Sequence, residues 1–344
     1  MQIQQARAHI MATLASGESP RADADALLCH LLDCRRSYLM TWPEHELDAA
    51  QQATLAGWLA RRLNGEPIAH LIGEREFWSL PLKVSPATLI PRPDTEVLVE
   101  QALARVPMDA CGVRVLDLGT GTGAIALALK SERPGVDVWA VDRIAAACEL
   151  ARDNATRLAL TIEVRCGSWF EPVQEERFTL IASNPPYIDE QDPHLEQGDV
   201  RFEPLTALVA ADSGMADIVH IIEQSRNALV SGGFLLLEHG WQQGEAACWR
   251  WVIRLSQTLR AKALRISISE AFWLLVRLSA SAICPSAAGR VQSTRLRWRL
   301  KVCAKALRCA CARLWASQVW SRERTMLRLR TWALAAPCTM SGSV

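Results

Sequence analysis

Apolar residues gather in five short runs along the middle of the chain: Val113–Leu118, Val136–Val141, Ile162–Arg165, Phe178–Ser183 and Phe234–Leu237. Short runs bounded by turn formers predict buried strands. Between them, Ala124–Ser131, Ile144–Leu158 and Met215–Val230 carry the spacing of helices. Alternating strands and helices predict a parallel, doubly wound α/β sheet, with ligands at the carboxyl ends of its strands. The pattern before it is helical. Ser19-Pro20 predicts a helix start, with Ser as cap and Pro in the first turn. Ala24, Leu27, Leu28 and Leu31 follow at helical spacing, and a second helix covers about Asp48 to Leu63, stopping at Asn64-Gly65. Residues 1–75 are expected to form a small helical domain, either a plain cap or a platform that docks a substrate. Residues 76–91 alternate and contain Pro81, Pro86 and Pro91, which predicts a hairpin or extended linker. A helix from Thr95 to about Arg105 then opens the sheet domain, residues 92–245.

Residues 246–344 break this pattern. They hold seven of the 13 Trp and six of the 11 Cys, with two Gly and no Asp, Asn or Tyr. Charge divides at the same place. Residues 1–245 carry 20 Lys/Arg against 35 Asp/Glu, a net of −15; residues 246–344 carry 18 against 2, a net of +16. The overall +1 hides this split. A basic RNA-binding accessory domain is one reading of the tail. A segment translated out of its ancestral frame is the better one, because local signals agree in foldable sequences and here they do not. The tail is expected to be poorly ordered and to add nothing to the sheet. The eleven cysteines form no CxxC pair, so free or buried thiols are expected rather than zinc or a disulfide framework. There is no signal-peptide pattern and no long apolar stretch, which places the protein in the cytoplasm, off the membrane.

Two motifs carry chemistry. Asp117-Leu118-Gly119-Thr120-Gly121-Thr122-Gly123 follows a strand and opens a helix. Glycines permit a sharp turn and close approach of a ligand, and a helix N-terminus offers free N–H groups. Asp142 ends the next strand, where a carboxylate can accept both hydroxyls of a ribose. Alone, the loop is a weak signal: a tight strand–helix turn is the plain alternative and a dinucleotide enzyme the nearest rival, although GxGxG is not GxGxxG. The second motif, Asn184-Pro185-Pro186-Tyr187, ends the strand Phe178–Ser183. Asn supplies an amide, the prolines fix the backbone and expose a carbonyl, and Tyr supplies a flat face for a planar group or a sulfonium. Together the motifs suit S-adenosylmethionine and a planar, weakly nucleophilic NH2. The Asn184 side-chain oxygen and the Pro185 carbonyl would each accept one N–H and aim the nitrogen at the methyl group. No metal is implied.

Over about residues 1–245 the chain resembles the bacterial peptide chain release factor N5-glutamine methyltransferases, the HemK/PrmC family. The resemblance rests on Gly65-Glu66-Pro67-Ile68, Gly73 with Phe77, Leu89-Ile90-Pro91-Arg92-Pro93-Asp94-Thr95-Glu96, Asp117 to Gly123, Ser183 to Ile188, and Arg201-Phe202-Glu203-Pro204. It implies an S-adenosylmethionine-dependent methyltransferase sheet behind a small helical N-terminal domain. It also implies methyl transfer to the glutamine of the Gly-Gly-Gln motif of class I release factors. By position, Gly119, Thr120, Gly121, Thr122, Gly123, Asp142 and Trp169 hold the cofactor. Asn184, Pro185, Pro186 and Tyr187 hold the glutamine, with Asn184, Pro185 and Tyr187 as the catalytic group and Asn184 also against the cofactor. Ser168 stands where many members have an acid. The helical domain would dock the release factor, and the protein is expected to be a monomer with no direct nucleic-acid partner. The family closes its sheet with an antiparallel strand pair, which is expected to be missing here. Two alternatives follow: a nucleic-acid amine methyltransferase sharing Asn-Pro-Pro-Tyr, or an inactive relative that only binds a release factor.

Overall fold

Each of the five apolar runs becomes a strand of one sheet. The computed structural model describes residues 1–17, 19–108, 111–244, 264–269 and 273–278. The first helices are α1 (Ile3–Thr13), α2 (Pro20–Leu31), α3 (Arg36–Thr41), α4 (Ala49–Leu63) and α5 (Ile68–Ile72). Ile3, Ile10, Leu27, Leu28, Leu55 and Leu59 bury one shared core. Two caps differ in quality. At α4, Asp48 accepts from the Gln51 N–H at 2.7 Å while Gln51 accepts from the Asp48 N–H at 2.9 Å, a full capping box. Ser19 stands at the cap of α2 as expected, but its side chain makes no cap bond. The linker folds as a hairpin of β1 (Glu74–Phe77) and β2 (Leu80–Lys83), starting two residues before its expected boundary.

The sheet domain then runs α6 (Glu96–Leu103), β3 (Arg114–Leu118), α7 (Ala124–Glu132), β4 (Asp137–Asp142), α8 (Ala145–Arg157), β5 (Glu163–Cys166) and β6 (Phe178–Ser183). A helix at Ala216–Ala228 leads into β7 (Leu229–Glu238). β3 lies in the middle, with β4 and β5 on one side and β6 and β7 on the other, all parallel. The strand order reverses between β3 and β6, and a ligand crevice opens at such a switch point. Apolar clusters cover both faces. One gathers Leu98, Ile125, Leu127 and Ala151, and the other gathers Phe178, Ile218, Ile221 and Leu235. Strands buried on both faces read as unbroken apolar runs, which is why the sequence locates them.

The tail departs from expectation. β8 (Leu264–Ser269) and β9 (Trp273–Leu278) form an antiparallel pair, and β9 joins β7 from Phe234↔Arg277 to Glu238↔Trp273. The closing strands are therefore present and extend the sheet to seven strands. The physical reason is the edge of β7, whose unpaired backbone groups need a partner. The remainder of 246–344 lies outside the described residues. Cys148 on α8 and Cys166 on β5 lie side by side, with Cα atoms 6.2 Å apart, and Cys29, Cys34 and Cys111 are free as expected. Among the described residues no helix is long and apolar enough to cross a membrane.

Candidate active site

Parallel register sets the site's height. Leu118 on β3 pairs with Ser183 on β6, and Ser183 pairs with Leu237 on β7. The next residues, Gly119, Asn184 and Glu238, therefore stand side by side at the carboxyl end of the sheet.

In the glycine loop, Gly119, Gly121 and Gly123 all adopt left-handed φ values of 71°, 56° and 85°. Such values suit residues without a Cβ. A Cβ on Gly123 would also lie 3.1 Å from Leu127 and 3.3 Å from Ala151. Asp142 braces the loop: one carboxylate oxygen accepts from the Gly121 N–H and the other from the Ile144 N–H, each at 2.9 Å. Thr120 is turned inward and donates to Asp117 at 2.6 Å. The other Asp117 oxygen is buried with no partner among the described residues. Burial pushes the Asp117 carboxyl up to about 7.

A cavity of about 910 Å³, counting the space open to solvent, lies over this loop. Gly119 to Thr122, Asp142, Trp169, Asn184 and Pro186 line it. Trp169, at φ 46°, lays its ring beside Gly119. Phe77, Ile125, Ile144 and Ala147 add apolar wall. The loop N–H groups of Gly119, Thr120, Gly121 and Gly123 are taken up by Val141, Asp142 and Thr120, so it is the braced carboxylate, the flat indole and the apolar walls that fit the adenosine end of S-adenosylmethionine. Gly123 does not line the cavity; its part is to turn the chain into α7.

A second, wider cleft lies between the helical domain and the sheet domain. Asn184, Pro185 and Tyr187 line it from one side, and Arg62, Leu63 and Gly65 from the other. The tetrapeptide thus forms a partition. Pro186 faces the cofactor cavity, Pro185 and Tyr187 face the cleft, and Asn184 lines both. Polar contacts tie the two domains across the cleft: Arg62, which also reaches Asp23 of its own domain at 3.5 Å, pairs with Asp199 at 2.7 Å, and Arg201 donates to the Asn64 carbonyl at 3.1 Å.

Several residues around the site were not assigned a role from sequence. Glu203 accepts from the Ile90 N–H at 2.9 Å and pairs with Arg92, clamping the linker to the sheet domain. Burial raises the Glu203 pKa, and Arg92 opposes the rise. Thr95 donates to Glu238 at 2.9 Å and accepts from Asn184 Nδ2 at 3.1 Å. The motif segments Pro91–Glu96 and Arg201–Pro204 signalled that these stretches matter, but not what they touch.

Two family models match the chain, "PrmC N-terminal domain" over residues 5–73 and "Methyltransferase small domain" over 94–199. The release factor glutamine methyltransferase of Escherichia coli K12 is 66% identical over 234 residues, covering 68% of this chain and 84% of that protein. The release factor glutamine methyltransferase of Aliivibrio fischeri is 55% identical over 235 residues, covering 68% and 82%. A solved methyltransferase from Pyrococcus furiosus superposes with a TM-score of 0.43 at 19% identity, over 65% of this chain and 98% of that one. With such identity over most of its relatives' length, the chain belongs to the release factor glutamine methyltransferase family.

Proposed function

We propose that this protein transfers the methyl group of S-adenosylmethionine to the side-chain amide nitrogen of the glutamine in the Gly-Gly-Gln motif of class I release factors. The single observation that supports this most is the shared wall. Asn184 lines both the cavity that fits the cofactor and the cleft open to a protein loop. Transfer must cross that wall, and the cleft on the interdomain side is wide enough to admit an extended protein segment.

The bound cofactor supplies an electrophilic methyl on a sulfonium. The chain's own residues do the rest. Gly119 to Thr122 and Asp142 hold the nucleoside, and Trp169 covers it. Asn184 Oδ1 and the Pro185 carbonyl each accept one N–H of the glutamine amide. An amide lone pair is delocalised, so attack requires the nitrogen to be held and aligned; alignment of this kind lowers barriers by several kcal/mol, roughly 7–11 at best. The same two oxygens sit where positive charge develops on nitrogen. The methylated nitrogen is strongly acidic and releases its proton after transfer, so no base need act first. Tyr187 walls the planar amide. The helical domain offers the docking surface, and the site is cytoplasmic in this reading.

Tritiated methyl transfer tests it, with a purified release factor and nucleic acid offered together. Label should appear on the release factor and vanish when its acceptor glutamine is changed to alanine. Asn184→Ala should lower turnover at least about a hundredfold, as the loss of one preorganised polar group does. Equal labelling of RNA or DNA would overturn the proposal in favour of a nucleic-acid amine methyltransferase.

A further inference from the structure

We infer that Thr95 and Glu238 are positioning residues for this transfer, forming a buried relay that sets which end of the Asn184 amide meets the acceptor. The inference rests on the proposed role of Asn184. An Asn side chain is nearly symmetric in shape but not in chemistry: one end accepts and the other donates. Rotated by half a turn, it would set an NH2 against the acceptor's own NH2, and the nitrogen could not be held.

The relay removes that freedom. Register places Glu238 beside Asn184 at the end of the sheet, because Leu237 pairs with Ser183. Glu238 and Thr95 are 4% and 5% exposed, so water does not compete for them. Thr95 Oγ1 stands 2.9 Å from Glu238 Oε2 and 3.1 Å from Asn184 Nδ2. A hydroxyl has one proton to give, and a carboxylate oxygen only accepts. With Glu238 ionised, the Thr95 proton goes to it, leaving Thr95 able only to accept from Asn184, so the relay acts in the ionised form of Glu238. The amide must turn its nitrogen to Thr95, which directs Oδ1 away along the other branch of the planar group. The second Glu238 oxygen takes the Tyr187 hydroxyl at 3.4 Å. One carboxylate thus steadies both ends of the Asn-Pro-Pro-Tyr partition.

Thr95→Val keeps the shape of the side chain and deletes the hydroxyl. It should lower kcat between about tenfold and a hundredfold, the scale of a small misalignment in the reacting pair. The KM for the release factor and the cofactor Kd, the latter measured by calorimetry, should stay within about threefold, the split that marks a loss confined to the transition state. Thr95→Ser should recover most of the turnover. In an Asn184→Ala background, Thr95→Val should cost nothing more, because no amide remains to be oriented. Glu238→Gln is the second variant. It keeps the size but cannot accept from both Thr95 and Tyr187 through oxygen, so kcat should fall with the cofactor Kd held, and it decides the matter if Thr95→Val does not fold. Normal turnover in folded Thr95→Val, or losses that simply add to those of Asn184→Ala, would overturn the relay. Normal turnover in Asn184→Ala would overturn the assignment of Asn184 itself, and the relay with it.

Discussion

Burial governs Asp117 and Glu238 more than their neighbours do. Desolvation carries each carboxyl up to about 7. At Asp117 the Thr120 hydroxyl and the Ala126 N–H hold the rise down, and Asp142 adds to it. At Glu238 the Thr95 and Tyr187 hydroxyls and Arg92 hold it down, and Asp94 adds to it. A carboxyl whose pKa is higher folded than unfolded binds more protons in the folded state. Its contribution is present in full below the unfolded pKa and is lost as pH rises through the folded one. Glu238 thus becomes a burden on stability above about pH 7. Burial lowers the pKa of His70 and His239, which gives the opposite trend near their own range, so the comparison must be made against a variant. The expected result is a thermal midpoint that falls more from about pH 6 to about pH 8 in the native protein than in Glu238→Gln. Parallel profiles in a calorimetric scan would show that Glu238 does not titrate in this window.

A backbone turn holds the Asn-Pro-Pro-Tyr strand end from outside. Asp212, Ser213 and Gly214 form a left-handed turn before the helix Ala216–Ala228. A Cβ on Gly214 would fall 2.1 Å from the Tyr187 carbonyl oxygen, and its φ is +78°. Gln243 donates to the same carbonyl at 2.7 Å and to Ser213 at 3.2 Å, tying turn and partition together. Gly214→Ala carries about 1–2 kcal/mol for the left-handed conformation alone, and the backbone clash adds to it. Turnover should drop at least about tenfold, the scale of a displaced reacting group, and the thermal midpoint should fall as well; unchanged activity would show that the partition tolerates movement. What could be read ahead of the structure divides by distance along the chain. β6 matches its predicted span to the residue, and β3 and β4 match within one, because doubly buried strands are unbroken apolar runs. Asn184, Asp142 and the glycine loop were legible because each motif is contiguous. Thr95 and Glu238 were not, since 143 residues separate them, and 111 separate Arg92 from Glu203. β8 was hidden by context. Leu264, Ile266 and Ile268 alternate with Arg265, Ser267 and Ser269, a strand pattern, but the link Glu270-Ala271-Phe272 carries none of the usual turn residues.

The seven-stranded sheet makes the ends of the chain depend on one another. β7 carries Glu238 at its carboxyl end and is held on one side by β6 and on the other by β9. The Glu238↔Trp273 pairing is the last of that ladder, so the strand position that feeds the relay is fixed by residues from the tail. Without β9, β7 becomes an edge whose backbone groups must be met by water or by another chain. Its inner residues Leu235, Leu236 and Leu237 lie at 0–1% exposure, and loosening the edge admits water to them. Charge works against self-association, because residues 1–245 carry −15 and repel one another. That repulsion is screened within about 8 Å at physiological salt, whereas edge pairing acts at contact, so the edge decides the outcome. A chain ending after Gly244 should therefore melt lower than one ending after Leu278. Loss of a hairpin worth about 2 kcal/mol would shift the midpoint by about 4–8 °C for a domain of this size. Light scattering should rise with salt in the shorter chain only. Methyl transfer should fall further than cofactor affinity, since Asp142 and the glycine loop stand at the ends of β4 and β3, away from the exposed edge, while Glu238 lies at the exposed strand. Equal melting and equal turnover in the two chains would show that β7 holds its place without its antiparallel neighbours.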